Sequence, residues 1–290
     1  MSTGLEVLVT GATGQQGGSA ARHLAKDGHR VRALTRNVTG PAAQALAASG
    51  IQVIPGDLDD GESVSKALEG VDAVFLITTP FERGIDTEMR HAFTVVDAAR
   101  AAGVFVVYTS VANADRATGI PHFDSKFAVE ERIRSTGVDA TILAPAYFME
   151  NVRYAVPQLR QGVFGSPLPP SLPLMQVAVS DIGATAAAVL ADRSRHIGQR
   201  YDLAGDELSP QDQATILSTV TGRTIQYVTV PLAAIRQSMG EDGVKMYEWF
   251  ERTGYSIDRD ALRRTFPDVP WLSFRAWAEG QDWATIGVRS

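Results

Sequence analysis

The stretch VTGATGQQGG, residues 9–18, runs from a short apolar segment straight into a helical pattern. Its glycines at 11, 14 and 17 are spaced G-x-x-G-x-x-G. Glycine permits a tight turn and a close backbone approach, and a helix N-terminus offers unpaired N–H groups and the positive end of a dipole. A glycine triplet alone is weak evidence. Set between a strand and a helix, it points to the pyrophosphate of a dinucleotide. The candidate contacts in this turn are Gly11, Thr13, Gly14, Gln16 and Gly17.

Outward from the turn, strand-like runs alternate with helical ones. Strands are expected at 5–12, 29–36, 51–57, 73–79, 104–110 and 139–146, and helices at 16–28, 41–50, 62–70, 85–103 and 122–136. Alternation of this kind implies a parallel sheet with helical crossovers, and the near-continuous Val/Ile/Leu character implies strands buried on both faces. The expected class is α/β, a Rossmann-type doubly wound sheet of order 3-2-1-4-5-6. Past residue 150 the pattern changes. Residues 162–174 are rich in Pro and Gly, 180–192 form a strong helix with Ser180 or Asp181 as its cap, and 209–222 and 231–253 read as helices around a strand at 224–230. The expected division is a dinucleotide-binding domain over 1–152 and a smaller α+β substrate-binding lobe over 153–290, some of whose segments return to the Rossmann sheet.

The bulk numbers narrow the function. The 290 residues are 44% hydrophobic and 21% charged, with a formal net charge of −6. No basic run stands out, which argues against a nucleic-acid surface. The absence of cysteine excludes disulfides, thiol nucleophiles and zinc–thiolate sites and is compatible with a reducing compartment. His23, His29, His91, His122 and His196 show no metal-ligand spacing, so no metal is expected. No basic n-region opens the chain, and no apolar run approaches the roughly 20 residues needed to span a bilayer. A soluble cytoplasmic protein with no membrane or nucleic-acid partner is expected, as monomer or homodimer.

The second strand ends ALTRN, with Arg36 where an NAD site usually carries an acid for the ribose 2′-hydroxyl. Guanidinium matches a phosphate in charge and geometry, which favours NADP(H) over NAD(H). Arg32, within the strand, is a weaker phosphate candidate. GDLDD at 56–60 offers Asp57 and Leu58 to an adenine ring, and Thr78 and Thr79 end the fourth strand where ligands of such sheets bind.

With these features in hand, GATGQQGGSAARHL, VRALTRN, PHFDSKFAVEERI and PAYFMENV resemble recurrent segments of the NmrA-like branch of the atypical short-chain dehydrogenases/reductases. The resemblance covers residues 5–200 well and the C-terminal part in outline. It implies a Rossmann domain with a smaller C-terminal domain and NADP(H) binding. The group holds both reductases of quinones, dyes and phenolic compounds and nonenzymatic redox sensors. In the wider superfamily a Ser or Thr after the fifth strand and a Tyr-x-x-x-Lys pair on the next helix reduce a carbonyl: lysine holds the ribose and tyrosine supplies the proton. This chain keeps Ser110 and Lys126 and carries His122 where the tyrosine would stand. Imidazole can also donate or accept a proton near neutral pH. Tyr147, after the sixth strand, is the alternative donor, so the catalytic candidates are Lys126, His122, Ser110 and Tyr147.

Tyr147 and Phe148 are also placed against the cofactor, with Phe81, His122, Phe148, Asn151, Tyr247 and Phe250 against a substrate. The aromatic group Tyr247, Trp249, Phe250 and Trp271 would suit a flat ligand, although at helical spacing such residues are more often core. Two functions follow: an NADP(H)-dependent reductase of a flat conjugated carbonyl, quinone or polyketide-like aromatic, or a non-catalytic NADP(H)-sensing regulator.

Overall fold

The computed structural model describes residues 4–81 and 83–288. Its first half alternates strand and helix: β1 (Glu6–Val9), α1 (Gln15–Lys26), β2 (Arg30–Thr35), α2 (Pro41–Ala48), β3 (Gln52–Pro55), α3 (Gly61–Ala67), β4 (Ala73–Leu76), α4 (Ile85–Ala102), β5 (Phe105–Thr109), α5 (Pro121–Thr136) and β6 (Ala140–Pro145). Then come β7 (Tyr147–Phe148), α6 (Val156–Leu159), β8 (Val163–Ser166), β9 (Leu174–Val177), α7 (Val179–Ala191), α8 (Arg193–His196) and β10 (Arg200–Leu203). The chain closes with β11 (Asp206–Leu208), α9 (Pro210–Thr221), β12 (Gln226–Thr229), α10 (Leu232–Arg252), α11 (Arg259–Thr265) and α12 (Phe274–Glu279).

The expected six-strand order is present and gains a seventh member. The sheet runs β10-β6-β5-β4-β1-β2-β3, every neighbouring pair parallel. Strands β1, β4, β5 and β6 are buried along their whole length, as their unbroken apolar runs require. One face is covered by α1 and α7, which cross on small residues: a methyl group on Gly183 would lie 2.5 Å from Ser19 Oγ. The other face is covered by α3, α4 and α5. Two small sheets, β11-β9-β7 and β12-β8, complete the fold: β12-β8 and Leu208 of β11 pack into a separate core with Phe274, Trp277 and Trp283, while Val177 of β9 and Phe148 of β7 join the α1–α7 core.

Two local expectations need correction. Helix α7 begins at Val179, and neither Ser180 nor Asp181 caps it. The Val179 amide donates to the buried Glu150 carboxylate (3.0 Å), while Asp181 accepts the Leu272 amide (2.8 Å), so both acids serve remote partners. The helix expected over 231–253 is broken at Gly240, whose φ of 70° is open to glycine but strained for other residues. Among the described residues no helix is long and apolar enough to cross a membrane.

Candidate functional site

The glycine turn is built as its spacing requires. Gly11 has φ +58°, and a methyl group on it would lie 2.6 Å from Ile77 Cγ2. Gly17 is buried, and its added methyl would lie 2.3 Å from the Gly11 carbonyl oxygen, so it lets α1 start directly against the turn. Gly14 differs. It is exposed, has extended backbone (φ −92°), and an added methyl meets only the Gly11 oxygen, at 3.3 Å. Gly14 precedes α1 with no side-chain cap, and the amides of Gln15 and Gln16 find no acceptor among the described residues. That is a cradle for an anion with room on its open side. Thr13 is exposed beside it, while Gln16 turns inward and accepts the Thr109 hydroxyl (2.7 Å), tying the turn to the end of β5. Thr10 ties it to β4 by exchanging two 2.9 Å hydrogen bonds with the Ile77 backbone.

At the end of β2, Arg32 is held by Glu6 (2.7 Å) and the Glu69 carbonyl (2.8 Å), which commits it to the scaffold. Arg36 lies exposed on the loop beyond, followed by an Asn37 that accepts the Thr39 amide and hydroxyl. At the end of β3, Asp57 accepts the Asp59 amide (3.1 Å) and its own amide donates to Ser63 Oγ, while Leu58 packs on the core. Asp59 receives Arg90 and His91, each at 2.8 Å, and Arg83. These hydrogen bonds, Arg90 first, hold its carboxyl far below the ordinary range and fix the β3 end to the start of α4.

Lys126 is more deeply engaged than its sequence suggests. Its Nζ donates to the carboxylate of Glu88 (2.7 Å) and to the Thr78 carbonyl (2.8 Å), and lies 5.8 Å from the Tyr108 ring centre. Glu88 is fully buried and also accepts Ser125 Oγ (2.7 Å). The lysine is thereby fixed at the carboxyl end of β4, beside the exposed Thr79. Ser110 is buried and donates to Glu130 Oε1 (2.5 Å). Glu130, itself fully buried, is shared with Arg134 and Arg200 (2.9 Å each), and Arg200 continues to Asp202. Ser110 therefore stands in a charge network between β5, α5 and β10.

His122 occupies the first turn of α5, one turn before Lys126. Its Nδ1 lies 2.5 Å from Asp242 Oδ2, and its amide donates to Asp242 Oδ1 (3.1 Å). Phe123 meets the imidazole edge-on at 4.8 Å, and Phe81, three-quarters exposed, lies 6.0 Å away. Burial raises the Asp242 carboxyl, but the His122 hydrogen bond, its charge and its amide outweigh that and leave it below the ordinary range.

Tyr147 and Tyr247 meet hydroxyl to hydroxyl at 3.3 Å, and Phe250 stands edge-on to both rings, at 6.1 and 5.8 Å. Burial raises both phenols, opposed at Tyr147 by hydrogen bonds to Tyr247 and Asn151. Phe148 packs against the core of the α1–α7 face. Trp271 joins that core too, whereas Tyr247, Trp249 and Phe250 form another with Phe123. The structure thus joins Lys126 to Thr78, His122 to Phe81, and Tyr147 to Tyr247, Asn151 and Phe250. It turns Ser110 away into the Glu130 network.

Glu88, Glu130 and Asp242 were not found from the sequence. Glu88 had a signal: it lies on the stripe of α4 that buries Ala92, Val95 and Val96. Glu130 likewise sits between the buried Val129 and Ile133. A carboxylate on an apolar stripe needs a cationic partner. Asp242 carries no local signal.

Residues 4–265 match the model of the NmrA-like family. A (4-alkanoyl-5-oxo-2,5-dihydrofuran-3-yl)methyl phosphate reductase of Streptomyces griseus is 29% identical over 96% of either chain. Quinone oxidoreductase 2 of Escherichia coli is 32% identical over 81% of this chain and 82% of its own. The crystal structure of a Citrobacter sp. triphenylmethane reductase, complexed with NADP(H), superposes with a TM-score of 0.80 at 26% identity, covering 95% of this chain and all of that one.

Proposed function

This chain belongs to the NmrA-like family, and on that premise we propose that it is an NADP(H)-dependent reductase of a flat conjugated carbonyl, quinone or polyketide-like aromatic. One observation carries the reading: proton-bearing side chains among aromatic rings stand at the carboxyl end of the parallel sheet, where the glycine turn also lies, since the turn follows β1, Tyr147 follows β6 and Lys126, one turn from His122, bonds Thr78 after β4. His122 with Asp242 is one such group, and Tyr147 with Tyr247 the other.

The residues present fit the dinucleotide. The Gln15 and Gln16 amides and the open side of Gly14 would hold the pyrophosphate, Arg36 the 2′-phosphate, Asp57 and Leu58 the adenine, and Lys126 the nicotinamide ribose. Bound NADPH would supply a hydride. The chain's own work is to exclude water with Phe81, Phe148 and Phe250, to orient an acceptor with Asn151 and Tyr247, and to deliver a proton. His122 shares a helix with Lys126 and is the first candidate donor, with Tyr147 the alternative. The quinone and dye reductases among the relatives support an aromatic acceptor.

A second reading, a protein that binds NADP(H) and catalyses nothing, is favoured by two features: Ser110 donates into the Glu130 network, and the tyrosine position holds histidine. NADPH oxidation against a panel of quinones, triarylmethane dyes and aromatic ketones decides between them. Turnover with one class or more is expected. Tight NADPH binding with no turnover on any acceptor would establish the sensor.

A further inference from the structure

Asp242 comes from a part of the chain 120 positions away from His122, yet it meets that residue with both carboxylate oxygens. One oxygen accepts the backbone amide and the other lies 2.5 Å from the imidazole Nδ1. The approach depends on the break at Gly240, which places Asp242 in the first turn of a new helical segment. A carboxylate there is favoured as the anion by the helix dipole. The imidazole's other nitrogen, Nε2, has no hydrogen-bond partner among the described residues and is not among the fully buried unpaired atoms, so it is open to solvent or a bound molecule. The ring is also held from the side by Phe123.

We propose that Asp242 is a positioning residue for His122: it holds the ring by Nδ1–H and keeps Nε2 as the nitrogen that gives its proton to the reduced acceptor. This rests on the reductase reading above. The acceptor gains two electrons and two hydrogens. One hydrogen arrives as the hydride that NADPH supplies; the other is the Nε2 proton, which leaves a neutral imidazole still bonded to Asp242 through Nδ1–H and recharged from solvent. Among the described residues, the charged groups placed around the imidazole are Asp242 of α10, with Lys245 beside that carboxylate, and Lys126 one turn on along α5, whose charge is matched by Glu88 of α4. Of these, Asp242 touches the ring.

The test is Asp242→Asn, which keeps one acceptor oxygen, turns the other into an N–H donor and removes the charge, with Asp242→Ala beside it. Two readouts are taken: histidine 1H–15N spectra of the protein without cofactor, with His122→Phe assigning the signal, and kcat and KM with the best quinone. In wild type the spectra should show Nδ1 carrying the proton that Asp242 accepts, and in Asp242→Asn that Nδ1–H signature should be lost or mixed with the other tautomer. At pH 7.5 kcat should drop about tenfold while KM and NADPH affinity stay within about twofold. A carboxylate that only capped α5 would lower the melting temperature and leave the ring's nitrogen signals and kcat in place, and that result overturns the proposal. So does a changed tautomer with an unchanged kcat in an active enzyme. If wild type reduces no acceptor, the reductase reading fails first and takes the proton-delivery role with it, while the spectra still report whether Asp242 fixes the ring's tautomer.

Discussion

The glycine turn and the start of α5 are built in different ways. The turn closes on itself within a few residues, Gly14 donating to Gly11 and Gly17 packing on Gly11, and two further ties, Thr10 to Ile77 and Gln16 to Thr109, dock it on the neighbouring strands without any charged group. The start of α5 depends on partners from far along the chain, Glu88 for Lys126 and Asp242 for His122. A locally built site tolerates loss of its ligand-facing residue without losing the fold. A site built from distant charges does not separate function from stability so cleanly.

Lys126 should break the comparison most severely. Lys126→Ala leaves Glu88 buried without its counter-charge, which typically costs about 3–5 kcal/mol. Thermal or urea unfolding is expected to show that loss, and Lys126→Ala combined with Glu88→Gln to recover most of it. A stable single variant would mean that the pair is not what holds the β4 end.

The glycines should sharpen the contrast within one turn. Gly17→Val is expected to destabilise the protein by about 1–3 kcal/mol or more, because its side chain overlaps the Gly11 carbonyl. Gly14→Val should fold normally and lose NADPH binding, because its side chain would stand where the pyrophosphate lies. A calorimetric titration in which Gly14→Val binds NADPH like wild type would remove the turn from the cofactor site.

Arg36 sets a smaller effect. A charge-assisted contact to the 2′-phosphate contributes on the order of 1.5–3 kcal/mol, roughly a tenfold to hundredfold preference for NADPH over NADH. Arg36→Ala should erase the preference, and an unchanged ratio would assign the phosphate to another residue.

The smallest effect lies in the scaffold. Burial pushes the Asp181 carboxyl up to about 6, opposed by the Leu272 amide and reinforced by the Glu150 charge. Folding then favours the protonated acid, whose ordinary value is 3.8, so stability is full at low pH and declines as pH rises through 4 to 6. Asp181→Asn should flatten that decline, a few degrees of melting temperature or roughly 1–2 kcal/mol, without touching NADPH affinity.

How much of this was legible follows from the same contrast. The sheet order and the strand–turn–helix over 9–18 could be read because β-period runs, glycine spacing and helix starts are local patterns, and the seventh strand escaped because Arg200–Leu203 is short and half-polar. At the site, sequence spacing put His122 and Lys126 on one helix face, but only the fold could bring in Asp242, or turn Ser110 from the cleft into the Glu130 network. The distant partner decides what each of those side chains can do.

The most direct test measures NADPH affinity and acceptor turnover side by side in wild type and His122→Phe. If the turn binds and the start of α5 delivers the proton, affinity should remain within about twofold. Turnover with an aromatic ketone should fall by about 10²–10⁴-fold, and less with a quinone, which needs less help from an acid. Loss of binding together with turnover, or turnover unchanged for every acceptor while Tyr147→Phe abolishes it, would contradict this assignment of roles.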